Sequence, residues 1–180
     1  MQQGVVDFHR AMGQPVAHRA KALPADRIPV RVELIREEFI DELLPALGAG
    51  ITDDGEIYLT GAEQDLVEVA DACVDIIYVT LGLLTEMGID AQVLFDEVQA
   101  SNMSKLGADG KGIIAGPNDP DGVFEGRVKK GPNYFRPRLR DLLEHGSADL
   151  DVAGPEMLAA ALKRREDEKH QATLERLRSA

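Results

Sequence analysis

Between Leu66 and Leu84 the chain is apolar at almost every position, broken only by Glu68, Asp71, Asp75, Thr80 and Gly82. A run of this length without proline reads as a helix, and a helix apolar nearly all round reads as a buried one. The pattern predicts a helix over 63–87, closed by Gly88 where a left-handed cap is common. On it Glu68, Asp71 and Asp75 stand at i, i+3 and i+7, so at roughly 100° per residue they share one narrow stripe. Isolated buried carboxylates cost on the order of several kcal/mol each, and like charges nearby raise the cost further. A divalent cation removes both penalties, and hard Mg²⁺ takes oxygen ligands. An arginine partner is the alternative.

A second acidic group lies upstream. Leu34, Ile35, Phe39, Ile40, Leu43, Leu44 and Leu47 recur at helical spacing and predict a helix over 30–47, with Pro45 marking a kink or frayed end. Glu37, Glu38 and Asp41 cluster on the arc largely opposite the apolar one. Alone they read equally as a wet helix face. Two antiparallel helices with facing acidic stripes would instead form a carboxylate cage, a known way to build a metal site in a bundle core.

The remaining chain frames these two helices. A short helix is expected over 4–12, ended by Gly13 and Pro15, and a turn at Asp53-Asp54-Gly55 suggests a small hairpin within 48–62. Asp90 should cap a helix over 90–105. Ten glycines and prolines make 106–136 a long loop, a length that usually signals function or disorder. Pro137 opens a short helix to 144. A charged helix over 156–178 reads as an exposed arm or an oligomer contact. The fold class is all-α, with a helical catalytic domain over 1–146 and a C-terminal helical extension over 147–180.

Composition agrees. Aromatic residues are 4% and tryptophan is absent, so the core is built from Leu, Ile, Val and Ala, which suits packed helices. A net charge of −12 argues against a general nucleic-acid or membrane binder. An anionic substrate then needs a cation or a local basic patch. Residues 105–140 supply one: Lys105, Lys111, Arg127, Lys129, Lys130, Arg136, Arg138 and Arg140, eight cations against four acids, for a local charge of +4. Cys73, the only cysteine, excludes a disulfide framework or cysteine zinc site within one chain and should be a buried small hydrophobe. No signal pattern and no run near the roughly 18 apolar residues of a membrane span are present, so a cytoplasmic protein is expected. His9, His18, His145 and His170 lack ligand spacing and read as packing or surface residues.

Glu37-Glu38-Phe39-Ile40-Asp41, followed by Asp71-Ala72-Cys73-Val74-Asp75, resembles the all-α NTP pyrophosphohydrolase superfamily that includes MazG, the dimeric dUTPases and the phosphoribosyl-ATP pyrophosphohydrolases. Its pattern is EExxE, a gap, then ExxD. The chain departs twice: Asp41 stands for the third glutamate, and Ala72 takes the expected glutamate position before Asp75. Glu68-Val69-Ala70-Asp71 is a literal ExxD one turn earlier, so either Asp71 or Glu68 pairs with Asp75, and Asp71 is preferred. Ser101-Asn102-Met103-Ser104-Lys105, Asp109-Gly110-Lys111 and Lys130-Gly131-Pro132-Asn133-Tyr134-Phe135 look like the phage and actinobacterial branch, and within it most like the phage MazZ-type enzymes. The match spans about residues 5–143.

The resemblance implies a four-helix-bundle core and cleavage of a nucleoside triphosphate by water to monophosphate and pyrophosphate, with dGTP or GTP first, then dUTP, dCTP or dNTPs broadly. It implies Mg²⁺, replaceable by Mn²⁺ and present as more than one ion, on Glu37, Glu38, Asp41, Asp71 and Asp75. Glu37 or Glu38 would also be the general base. Asn102, Lys105, Lys111, Lys130 and Tyr134 would contact the substrate, and a homodimer or homotetramer is expected. A non-catalytic metal- or nucleotide-binding bundle and an acidic interaction protein are the rivals from other classes.

Overall fold

The computed structural model describes residues 1–145. They form two compact units, Met1–Ile89 and a second beginning at Asp90. The first is mostly helical, and the second carries two helices joined by a long irregular segment.

The first unit opens with helix α1 (Gln2–Ala11), which buries Val5, Val6 and His9. Helix α2 (Ile28–Arg36) follows, with Pro29 in its first turn, where a missing amide hydrogen costs nothing. The chain then continues without a break as a π-helical segment, Glu37–Leu43, and a last short helix, α3 (Leu44–Ala46). The proline expected to kink or fray this helix widens it instead. Pro45 has no amide hydrogen and its ring conflicts with the carbonyl four residues back. The amide of Leu44 accordingly reaches back five residues, to the Phe39 carbonyl.

Strands β1 (Ala49–Ile51) and β2 (Ile57–Leu59) pair antiparallel, with Gly50 opposite Tyr58. They are the hairpin suggested by Asp53-Asp54-Gly55. Helix α4 (Leu66–Glu86) starts at Asp65, whose carboxylate accepts from the amides of Val67 and Glu68, an N-cap that satisfies two otherwise orphan donors. Helix α4 packs against α1, α2 and the π-helical segment.

That packing covers one side of α4 only. The expectation that the helix is buried all round is corrected: Leu66, Val67, Val74 and Ile77 are exposed, and within the helix only Ala72, Gly82, Thr85 and Glu86 are buried. Cys73, expected inside, is exposed as well. The reason is geometric. The described partners reach one arc of α4, and its other apolar arc faces none of them.

The lower end of α4 meets a buried polar cluster. The Glu86 carboxylate, 2% exposed, accepts hydrogen bonds from Arg31, at 2.6 Å, and from Arg27. Arg31 Nη2 also lies 3.1 Å from His9 Nε2, and His9 Nδ1 lies 2.9 Å from the Pro15 carbonyl. A carbonyl only accepts, so Nδ1 carries the proton and Nε2 accepts from Arg31. Gly82 makes room for this arrangement: a Cβ there would fall 2.8 Å from Arg31 Nη1 and 3.1 Å from His9 Nε2. Alanine normally gains about 1 kcal/mol over glycine inside a helix. Gly82→Ala is therefore expected to destabilise the protein against that propensity, read as a lowered urea midpoint. A raised midpoint would show that the cluster yields freely.

In the second unit, helix α5 (Ala91–Met103) is capped by Asp90, whose carboxylate accepts from the amides of Gln92 and Val93. Residues 104–138 contain no helix or strand, and a single bridge between Ile114 and Val128 folds the segment back on itself. Helix α6 (Leu139–His145) follows and packs on α5. The expected 156–178 helix, and the 147–180 extension as a whole, lie outside the described residues.

Candidate functional site

The acids of the first unit separate into distinct roles. Glu38, on the π-helical segment, is half-buried, and its Oε2 is shielded from solvent with no hydrogen-bond partner. Burial pushes its carboxyl above the ordinary glutamate range, and the negative charges of Glu42, Asp75 and Glu37, with a hydrogen bond to Glu42, push it further. Glu38 therefore lies within electrostatic reach of Asp75, where α4 packs on the π-helical segment. The half-buried position of Asp75 fits this arrangement.

Glu42 was not singled out from the sequence. Pairing to the fifth residue turns each residue less far than the roughly 100° of an α-helix. Positions 38 and 42 stay close to one face, while position 41 swings aside. Asp41 is exposed and bonded to Arg36, with Nη2 to Oδ2 at 2.9 Å. Arg36 also holds Glu33 at 2.7 Å. Glu37 is exposed beside Glu38.

Asp71 and Glu68 lie on the exposed arc of α4. Asp71 borders an open groove with Leu66, Val67, Ala70 and Val74. The arginines of α2 that could have paired with Glu68, Asp71 or Asp75 go elsewhere: Arg31 to Glu86 at the far end of α4, and Arg36 to Glu33 and Asp41. The sequence signal for Glu86 was an acid at the end of an apolar helix, with Arg27 just before α2 and Arg31 one turn further on. That signal becomes readable only once the two helices are known to touch.

Among the described residues no group of three or more His, Cys, Asp or Glu side chains is drawn together closely enough to hold a metal ion. The donors nonetheless suit a cation. Glu38 carries a shielded oxygen without a partner amid three further carboxylates, an arrangement that is costly as it stands and that a hard cation would relieve.

The second unit holds the expected substrate residues. Lys105 Nζ donates to Asn102 Oδ1 at 2.8 Å. The Lys130 ammonium stands 4.5 Å from the centre of the Tyr134 ring. Lys111 is exposed on the loop, where its backbone amide bonds to Asp109. Part of the basic patch is already engaged. Lys129 binds Asp119 at 2.6 Å and Asp121 at 2.7 Å, and the hydrogen bond from Lys129 holds the Asp119 carboxyl below its usual range. Arg138 pairs with Glu97, and Arg140 with Glu144.

Comparison with known proteins fits this arrangement. The family model described as phosphoribosyl-ATP pyrophosphohydrolase matches residues 5–102, which include both acidic groups and Asn102. No curated protein matches the chain. A solved structure from Exiguobacterium sp. 255-15, given as a candidate NTP pyrophosphohydrolase, is 22% identical over 92% of this chain and 96% of its own, with a TM-score of 0.34. A superposition that loose carries no argument. The family match does: the chain belongs to the phosphoribosyl-ATP pyrophosphohydrolase family and is an enzyme, a hydrolase of acid anhydride bonds that releases pyrophosphate.

Proposed function

We propose that this enzyme is a Mg²⁺-dependent nucleoside triphosphate pyrophosphohydrolase, converting a (d)NTP and water to the (d)NMP and pyrophosphate, with dGTP and GTP as leading substrates. The observation that best supports it is Glu38, whose shielded Oε2 has no hydrogen-bond partner and whose carboxylate is surrounded by like charge. Glu38 and Asp75 are the primary metal-holding residues in this reading, with Glu37, Asp71 and Asp41 completing the set and Glu42 added to it. Asp41 must exchange Arg36 for the cation. Mn²⁺ can substitute, and this many acids suits more than one ion.

When bound, the metal neutralises phosphate charge and lowers the pKa of the attacking water. The chain's own residues do the rest. Glu37 or Glu38 accepts the proton of the water as its oxygen joins phosphorus. The anhydride bond on the far side of that phosphorus breaks, and its electron pair leaves with pyrophosphate. In the second unit Lys105, Lys111 and Lys130 offer positive charge suited to phosphate oxygens. Asn102 offers an amide, and Tyr134 a ring that can stack on a base or bond to the sugar.

The apolar arc of α4 that no described residue covers supports a homodimer or homotetramer, with Leu66 at 76% and Val67 at 74% exposure as its centre. No helix among the described residues is long and apolar enough to cross a membrane. Work on the nucleotide pool of the cytoplasm is the setting we infer.

A second reading is phosphoribosyl-ATP hydrolysis, favoured by the description of the matching family. One screen separates them. All standard NTPs and dNTPs and phosphoribosyl-ATP are incubated with Mg²⁺ or Mn²⁺, and monophosphate and pyrophosphate are measured. Highest turnover is expected on dGTP or GTP with equal amounts of the two products. A preference for dUTP, dCTP or phosphoribosyl-ATP would reassign the substrate. Nucleotide binding without pyrophosphate release would point to a non-catalytic bundle, and release of single phosphates would refute the bond assignment.

A further inference from the structure

One face of helix α5 holds the loop segment that follows Lys130. Glu97, Ser101 and Ser104 stand at i, i+4 and i+7, so they form a single stripe. Each engages the backbone of residues 135–138. Glu97 accepts from the Arg138 amide at 2.9 Å and from its side chain at 3.2 Å. Ser101, 3% exposed, donates to the Phe135 carbonyl at 2.8 Å. Ser104 donates to the Ser101 carbonyl at 2.7 Å and accepts from the Phe135 amide at 3.1 Å. The two serines thus satisfy both polar groups of the Phe135 backbone, as a neighbouring strand would.

The segment is held at its other end by contact rather than bonding. A Cβ on Gly131 would lie 2.6 Å from the Leu106 carbonyl carbon and 2.7 Å from the Lys105 carbonyl oxygen. Only glycine permits that approach. Lys130 precedes this point and Tyr134 lies between it and the serine contacts. Asn102 and Lys105 sit beside the serines at the end of α5.

We propose that Ser101, Ser104 and Gly131 are positioning residues for nucleotide binding. They fix Lys130 and Tyr134 against the end of α5 that carries Asn102 and Lys105, so that cations from two separate stretches of chain meet one polyphosphate. This rests on the nucleotide reading above. A cationic site on an untethered loop spends binding energy on ordering the loop, and a pre-ordered one does not.

The test uses the full-length protein and the variants Ser101→Ala, Ser104→Ala, Ser101→Thr and Gly131→Ala. Amide hydrogen exchange over residues 131–138 reads the tether. Calorimetric titration with dGTP in the presence of Ca²⁺ reads affinity apart from turnover, and steady-state kinetics with Mg²⁺ read KM and kcat. Faster exchange in both serine-to-alanine variants is expected, with KM and Kd raised about tenfold, the scale of one lost hydrogen bond. In those variants kcat should stay within about threefold, and Ser101→Thr, which keeps the hydroxyl, should restore most of the affinity.

Faster exchange with wild-type KM and Kd would overturn the positioning role, and so would unchanged exchange in both serine variants. A kcat that falls in step with the melting temperature would mark a merely structural part. If the wild type binds dGTP but releases no pyrophosphate, the catalytic reading fails, and the proposal is judged by Kd alone. If it binds no nucleotide, both fail.

Discussion

Replacing Glu86 by alanine is expected to destabilise the protein by about 3–5 kcal/mol, the range seen when one member of a buried ion pair is removed. The substitution strands Arg31, 5% exposed, and takes an anion from Arg27. Against a total stability of about 5–15 kcal/mol, that loss is enough to unfold part of the population at moderate temperature. Glu86→Gln keeps the volume and one acceptor, so it should cost less. Urea denaturation of the three proteins gives the comparison. A loss below about 1 kcal/mol for the alanine variant would mean that water replaces the carboxylate, as it does for surface pairs.

The same residue sets an acid limit. Burial raises the Glu86 carboxyl, but the hydrogen bonds from Arg27 and Arg31 outweigh burial and hold it below its ordinary value. As pH falls through the usual glutamate range, about 4.3, the unfolded chain takes a proton that the native chain refuses. The stability contributed by Glu86 is therefore complete above that range and is lost as pH drops toward the folded value. Wild type should lose stability more steeply than Glu86→Gln below about pH 5. Parallel curves would remove Glu86 from the account of acid sensitivity.

The second large effect is on catalysis. Asp75→Ala and Glu38→Ala should each lower kcat/KM for pyrophosphate release by about 10² to 10⁴, the range for losing a proton-transfer or metal-holding group. Glu38→Gln makes the sharper test because it moves stability and activity in opposite directions. An amide removes the like-charge repulsion from Glu42, Asp75 and Glu37, so the metal-free variant should melt higher than wild type. Mg²⁺ should raise the melting temperature of wild type and have little effect on the variant, since only a cation that binds the native state stabilises it. Undiminished Mg²⁺-dependent pyrophosphate release in Asp75→Ala would falsify the two-helix carboxylate site.

The contrast between Glu38 and Asp41 shows what a helical repeat can and cannot tell. At α-helical spacing the two fall together with Glu37, which is why the acidic group was visible at all. The period itself changes in the structure. Pro45 removes one amide hydrogen, the preceding turn widens, and Asp41 swings to Arg36 while Glu42 comes level with Glu38. A proline inside a helical pattern signals a disturbance. Whether it kinks, frays or widens the helix depends on which carbonyls remain in reach.

The sequence by itself determined most of the elements and, to within a few residues, their ends. Apolar periodicity placed α4 and the helical run from α2 to α3, Asp90 caps its helix, and Asp53-Asp54-Gly55 turns the hairpin. These features depend on neighbours a few residues apart, and local chemistry is enough to fix them. Tertiary structure alone decided the partners. An apolar run cannot say which of its arcs meets another helix, so α4 read as buried all round although, among the described residues, nothing covers one arc. Nor can an acid announce its cation: Glu86 took Arg27 and Arg31, Asp41 took Arg36, and Glu38 was left shielded without one. Burial and charge pairing act between residues far apart in the chain, so they become readable only after the helices have packed.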